Sequence, residues 1–143
     1  MMQFTRSFAL FFCFAAPALA QPTDYTTAEG AAFIHASLGS GMVSFQNQGA
    51  NDAIYLTNLL GWRCGTAAIM YGFNDAAPIT VVNAEPCYRE FQSPNVMQHA
   101  GEPEFPLWLT VPKESVQKIT IRVLYEDGKM ADFVAERAKS LMP

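Results

Sequence analysis

The sequence predicts a mainly β protein: a small antiparallel β-sandwich of about six or seven short strands, with a short helix near its start. Three observations carry that expectation. Short apolar runs alternate with a period of two, turn chemistry recurs at roughly ten-residue intervals, and two cysteines fall where adjacent strands would bring them together.

The first twenty residues stand apart. Arg6 precedes an uncharged run from Phe8 to Ala16, Pro17 breaks any helix, and Ala18-Leu19-Ala20 offers small residues where a signal peptidase needs them. A positive end, a short apolar run and an A-x-A site are the three parts of a secretory signal. A membrane anchor would need about 20 apolar residues, roughly twice this run. Cys13 follows Phe12 inside the apolar run rather than a small residue, which speaks against a lipoprotein signal. Cleavage is expected after Ala20. That leaves residues 21–143 as one β-rich domain without a membrane anchor, periplasmic or secreted.

Roughly 120 residues suffice for one domain with its own core. The full chain carries a net charge of −4, and its cations, such as Arg63, Arg89, Lys113 and Lys118, are scattered. Nucleic acid and anionic lipid are bound by clustered Lys and Arg, so both are poor partners for it. Three cysteines occur, and loss of Cys13 leaves Cys64 and Cys87. An even count in an exported chain reads as a disulfide. Zinc would need about four ligands in short-spaced pairs. Cys64, Cys87, His35 and His99 supply no such pair, so neither metal nor cofactor is expected. A catalytic thiolate would need a free cysteine beside a base.

Along the chain, residues 21 to 25 form an exposed arm. Thr26 with Glu29 makes a capping box, Phe33, Ile34 and Leu38 make one stripe, and Gly39 ends it. These signals favour a short helix over an extended strand for residues 26–38. Gly39-Ser40-Gly41 reads as a turn, and a strand follows over 42–45. Residues 46–52, with Gly49 and Asn51, read as a turn and 53–59 as the next strand.

The segment from Gly61 to Cys87 is the most informative. Trp62, Cys64, Thr66, Ala68 and Met70 would share one face of an extended strand, and Arg63, Ala67, Ile69 and Tyr71 the other. Residues 74–77 supply turn chemistry, and Ile79-Thr80-Val81-Val82 is a β-branched return. If 74–77 is the loop, Phe73 faces Pro78, and continuing that register sets Cys64 directly opposite Cys87.

From Cys87 to Pro106 no period survives, and Pro94, Gly101, Pro103 and Pro106 interrupt the chain. A loop this long is unusual in a small domain and often functional. Tyr88, Phe91, Met97, His99 and Phe105 make it a candidate partner-binding loop; the alternative is a connection between sheets with its apolar residues tucked inward. Strands resume at 107–111 and 117–125, where Ile119, Ile121, Val123 and Tyr125 alternate with polar residues. The Asp127-Gly128 step favours a hairpin turn into a strand at 130–134. Residues 135–142 are a helical turn or a loose end.

This succession suggests an immunoglobulin-like sandwich, with a small open β-barrel as the alternative. The antibody arrangement of cysteines flanking a tryptophan is absent, since Trp62 precedes Cys64.

No nucleophile elbow, phosphate loop, zinc-protease or dinucleotide motif is present. His35 and His99 are isolated in sequence. Glu102 and Glu104 flank Pro103 as a nominal acid–base pair, for which a solvated loop is the simpler reading. Trp62 and Trp108 offer surfaces for a sugar ring or, more simply, core packing. No catalytic residue is assigned. The expectation is a small exported, disulfide-bonded, non-enzymatic module that binds another protein. The alternatives are an enzyme acting on cell-wall or sugar substrates through carboxylates and His99, or a small-ligand carrier.

Overall fold

The computed structural model describes residues 22–143; the predicted export signal and its cleavage point lie outside the described residues. A helix, α1 (Ala28–Leu38), runs into a 3₁₀ turn (Gly39–Met42). Then follow β1 (Ser44–Gln48), β2 (Asn51–Tyr55), a short helix α2 (Thr57–Leu60), β3 (Thr66–Phe73) and β4 (Thr80–Val81). The chain finishes with β5 (Trp108–Pro112), β6 (Lys118–Tyr125), β7 (Met130–Glu136) and the turn α3 (Arg137–Ser140).

The strands form two antiparallel sheets, β1-β2-β5 and β4-β3-β6-β7. β1–β2, β3–β4 and β6–β7 are hairpins, while β5 returns to β2 and β6 returns to β3. Those two returns are the Greek-key links of an immunoglobulin-like sandwich, here with β4 on the sheet of β3. Neither sheet closes on itself, so the open-barrel alternative is not the fold.

The inner face of the second sheet is set by the alternation in β6. Ile119, Ile121, Val123 and Tyr125 are all buried, and the register partners of the first three on β7 are Ala135, Phe133 and Ala131. Phe45, Ile54 and Val111 supply the facing sheet, and Met42, Leu56 and Leu59 fill the ends. Burying each such aliphatic side chain contributes about 1.5–3 kcal/mol. Across the bottom, buried Asp52 accepts a two-pronged hydrogen bond from Arg137 (2.7 and 3.1 Å) and a third from the Glu114 N–H. That ties the C-terminal segment to β2.

Several expectations need correction. The helix cap is Thr27, whose hydroxyl accepts from the Gly30 N–H, because Thr26 turns its own N–H and hydroxyl to Asp24. Glu29 then sits one residue too early to complete a capping box. The turn expected at 46–52 is only Gly49-Ala50: β1 and β2 pair from Gln48 opposite Asn51, and Gly49 takes the positive φ that a tight hairpin demands. The strand expected to reach residue 59 ends at Tyr55. Leu56, Leu59 and Leu60 are all buried, a spacing that one side of a helix satisfies and a strand does not.

The β3–β4 register is the expected one, with Met70 opposite Val81 and Tyr71 opposite Thr80. The ladder itself is shorter. β3 begins at Thr66 and bulges at Ala67, and β4 ends at Val81. The disulfide joins Cys64 to Cys87, with Cα atoms 4.9 Å apart. It therefore closes a slot where the two segments have separated, rather than lying inside the ladder. Among the described residues, no helix is long and apolar enough to cross a membrane.

Candidate functional site

Residues 88–106 contain neither helix nor strand, yet their path is fixed from below by two buried charges. Arg63, in the turn after α2, is 3% exposed, and Glu85, on the segment after β4, is 5% exposed. Guanidinium offers five N–H donors in a rigid fork. Arg63 aims them at backbone carbonyls: Nε at Glu85 (2.7 Å), Nη2 at Pro86 (2.8 Å) and Val96 (3.3 Å), and Nη1 at Asn95 (2.8 Å) and Leu60 (3.3 Å). One side chain thus staples α2, the slot and the middle of the loop. Burial lowers its pKa, and the nearby Glu85 carboxylate partly restores it.

Glu85 holds the next stretch. Its carboxylate accepts from the N–H groups of Gln98 (2.7 Å) and His99 (2.9 Å) and from the Tyr88 hydroxyl (3.0 Å). Burial pushes the carboxyl up, but these donors together with Arg63 outweigh it and hold the group below its ordinary range. Three further ties complete the frame. The Cys64 N–H donates to Asn95 Oδ1 (2.8 Å), Asn83 Nδ2 donates to the Glu104 carbonyl (2.6 Å), and the disulfide pins Cys87, the residue just before the loop. A cleft of about 420 Å³ lies between the start of β3 and residues 81–87, with the Arg89–Glu126 ion pair (2.8 Å) among its lining residues.

The five loop residues singled out from sequence do not form one cluster. Tyr88 is half-buried, with the Arg63 guanidinium 5.6 Å from its ring centroid and Phe91 5.6 Å on another side. Phe91 is 48% exposed, and nearby Val96 is 50% exposed. Met97 packs against the core. His99 and Phe105 form a separate group, with ring centroids 6.2 Å apart and His99 Nδ1 3.1 Å from Glu102 Oε1. Both His99 and Glu102 are more than half exposed, so this acid–imidazole pair stands in solvent. Glu104 serves through its carbonyl and does not join them.

The other candidates lie elsewhere. His35 is buried between α1 and the second sheet, with Nδ1 3.2 Å from the Tyr125 hydroxyl. Trp62 meets Tyr25 edge-on at 6.1 Å and lines a groove of about 530 Å³ with residues 92–96. Trp108 is on the outer face of β5. Among the described residues, no three His, Cys, Asp or Glu side chains gather as a metal site, and the two described cysteines, Cys64 and Cys87, are in the disulfide.

Arg63 and Glu85 are the residues that sequence reasoning missed. A signal exists in retrospect: each is one residue from a cysteine or from the proline preceding it, at the two ends of the disulfide. Compared with known proteins, the chain matches no protein-family model, no curated protein and no solved structure.

Proposed function

We propose that this protein is an exported, non-enzymatic binding module that holds another protein against the loop 88–106. One observation carries the reading: a stretch without regular structure is locked in place by Arg63, Glu85 and the disulfide while it leaves Phe91 and Val96 exposed. Ordering a loop on binding costs roughly 0.5–1.5 kcal/mol per immobilised side chain, and a loop fixed in advance avoids much of that. The disulfide supports an oxidising compartment, where such bonds persist.

The test is capture of partners by the mature chain, compared with a variant whose residues 91–105 are replaced by Gly and Ser. The expected result is a specific partner recovered by the intact chain and lost from the variant, with both proteins monodisperse on size exclusion. Unchanged recovery would remove the loop from the account.

A further inference from the structure

The two sheets turn chemically different faces to solvent. The outer face of β4-β3-β6-β7 exposes the aliphatic side chains of Val81, Met130 and Val134 around an Arg122–Asp132 ion pair. Among the described residues, the strand positions on the outer face of β1-β2-β5 carry neither an aliphatic patch nor a charge. Phe45, Ile54 and Leu109 pair in register on the core side, so the alternate residues beginning at Ser44, Asn51 and Trp108 point outward. Those positions hold amides, hydroxyls and two aromatic rings, with Ala53 and Pro112, and no side chain that is charged at neutral pH.

The geometry points to a second binding surface here: the outward face of β1-β2-β5 takes a neutral glycan, with Trp108 and Tyr55 as the stacking platform. Trp108 is 42% exposed, and its ring centroid is 5.8 Å from that of Tyr55, its neighbour across the strands. The Tyr55 hydroxyl donates to Gln46 Oε1 (3.1 Å) and accepts from Gln48 Nε2 (3.3 Å), which fixes the ring and both amides as one array. Gln46 engages through Oε1, which leaves its Nε2 hydrogens as donors among the described residues. Thr110 adds a hydroxyl on the rung shared with Gln46 and Ala53.

At the Tyr55 end the face opens into a hollow of about 260 Å³ bounded by Ser44, Thr57, Asn58, Met42 and Met142, room for one pyranose ring. A pyranose presents a face of C–H bonds that packs on aromatic rings, and a rim of hydroxyls that both donate and accept. Amides and hydroxyls held on strands match that rim, and rigid elements present it more accurately than loops. An ionic polymer would find no counter-charge among the described residues, and a protein interface would want an apolar centre, which this face lacks.

Co-sedimentation of purified protein with microcrystalline cellulose and with chitin, both uncharged, tests the inference. Alginate serves as an anionic control and polystyrene beads as a hydrophobic one. The expected result is retention on at least one neutral glycan, at least fivefold above alginate and polystyrene, and changed less than twofold by 0.5 M NaCl. W108A should lower retention at least fivefold and Q46A two- to fivefold. M130A on the opposite sheet and the 91–105 Gly/Ser variant should bind as the parent does, which separates this surface from the loop. Because Trp108 is exposed, W108A keeps the parent's melting temperature within a few degrees, a control read alongside. No retention on either glycan, equal retention on polystyrene, or a W108A protein that binds like the parent would each overturn the proposal.

Discussion

Arg63 and Glu85 meet through the main chain rather than through each other: Arg63 Nε donates to the Glu85 carbonyl at 2.7 Å, while the Glu85 carboxylate faces the other way and takes the N–H groups of Gln98 and His99. Each charge is satisfied by backbone dipoles, and together they hold residues 85–86 and 95–99 in one frame. A buried group so engaged is costly to remove, because its partners are left unpaired.

R63A should therefore destabilise the fold by about 3 kcal/mol, several unsatisfied carbonyls being left behind. R63K should recover only part of this, since an ammonium has three donors and no planar fork. Urea titration measures the loss, and limited proteolysis should show first cuts moving into 88–106. A parent-like proteolysis pattern in R63A would show that the loop is held by something else.

The disulfide is the second clamp. Cys64 and Cys87 are separated by 23 residues, and removing a cross-link of that span costs about 3 kcal/mol in the chain-entropy account. The C64S/C87S protein should unfold at correspondingly lower urea. Non-reducing mass spectrometry of the chain recovered from expressing cells should give a species starting near Gln21 and two hydrogens light. A reduced chain, or one that keeps Met1, would contradict the assignment to an oxidising compartment.

Acid should destabilise the protein in two stages. Burial lowers the His35 pKa from 6.5 to about 4, against a smaller opposing contribution from the Trp62 backbone. The unfolded chain thus takes up a proton near pH 6.5 that the folded chain refuses until about pH 4. Stability falls as pH drops through that window, by about 3 kcal/mol in all and about 2 kcal/mol by pH 5. Asp52 is held down by the hydrogen bonds of Arg137, and Glu85 by backbone N–H groups that outweigh its burial. Their contributions are present above the ordinary carboxylate range and are lost only below about pH 4.5. Urea midpoints at pH 7.5 and 5 should differ in the parent and converge in H35Q.

Asp52 links β2 to the end of β7 through Arg137. D52A strands a guanidinium and the Glu114 N–H, and should lower stability by about 3 kcal/mol in urea titration. Its effect should fade towards pH 3, where the unfolded parent protonates Asp52 while the folded chain still holds it ionised.

The strands legible in the sequence were those with one buried face and a clear turn. Ile119 to Tyr125 alternates through to the Asp127-Gly128 turn, where Gly128 has φ 84°, and the hairpin follows. The register that opposes Tyr71 to Thr80 was legible from turn residues alone. The helix at Thr57–Leu60 was obscured because four residues give too short a window for a period, and Ala53 to Leu59 is apolar enough to pass as a strand. The site was least legible. Burial of Arg63 depends on carbonyls from residues 85, 86, 95 and 96, which only the tertiary fold gathers, whereas a lone arginine in sequence reads as surface.

Contact between the loop and a protein is measured most directly by placing a photo-crosslinking phenylalanine analogue at position 91 and, in parallel, at position 130. Irradiation of cells expressing the chain should yield one discrete, light-dependent adduct from position 91 and none from position 130 on the outer face of β7. No adduct at 91, or the same adducts from both positions, would contradict a binding role for the 88–106 loop.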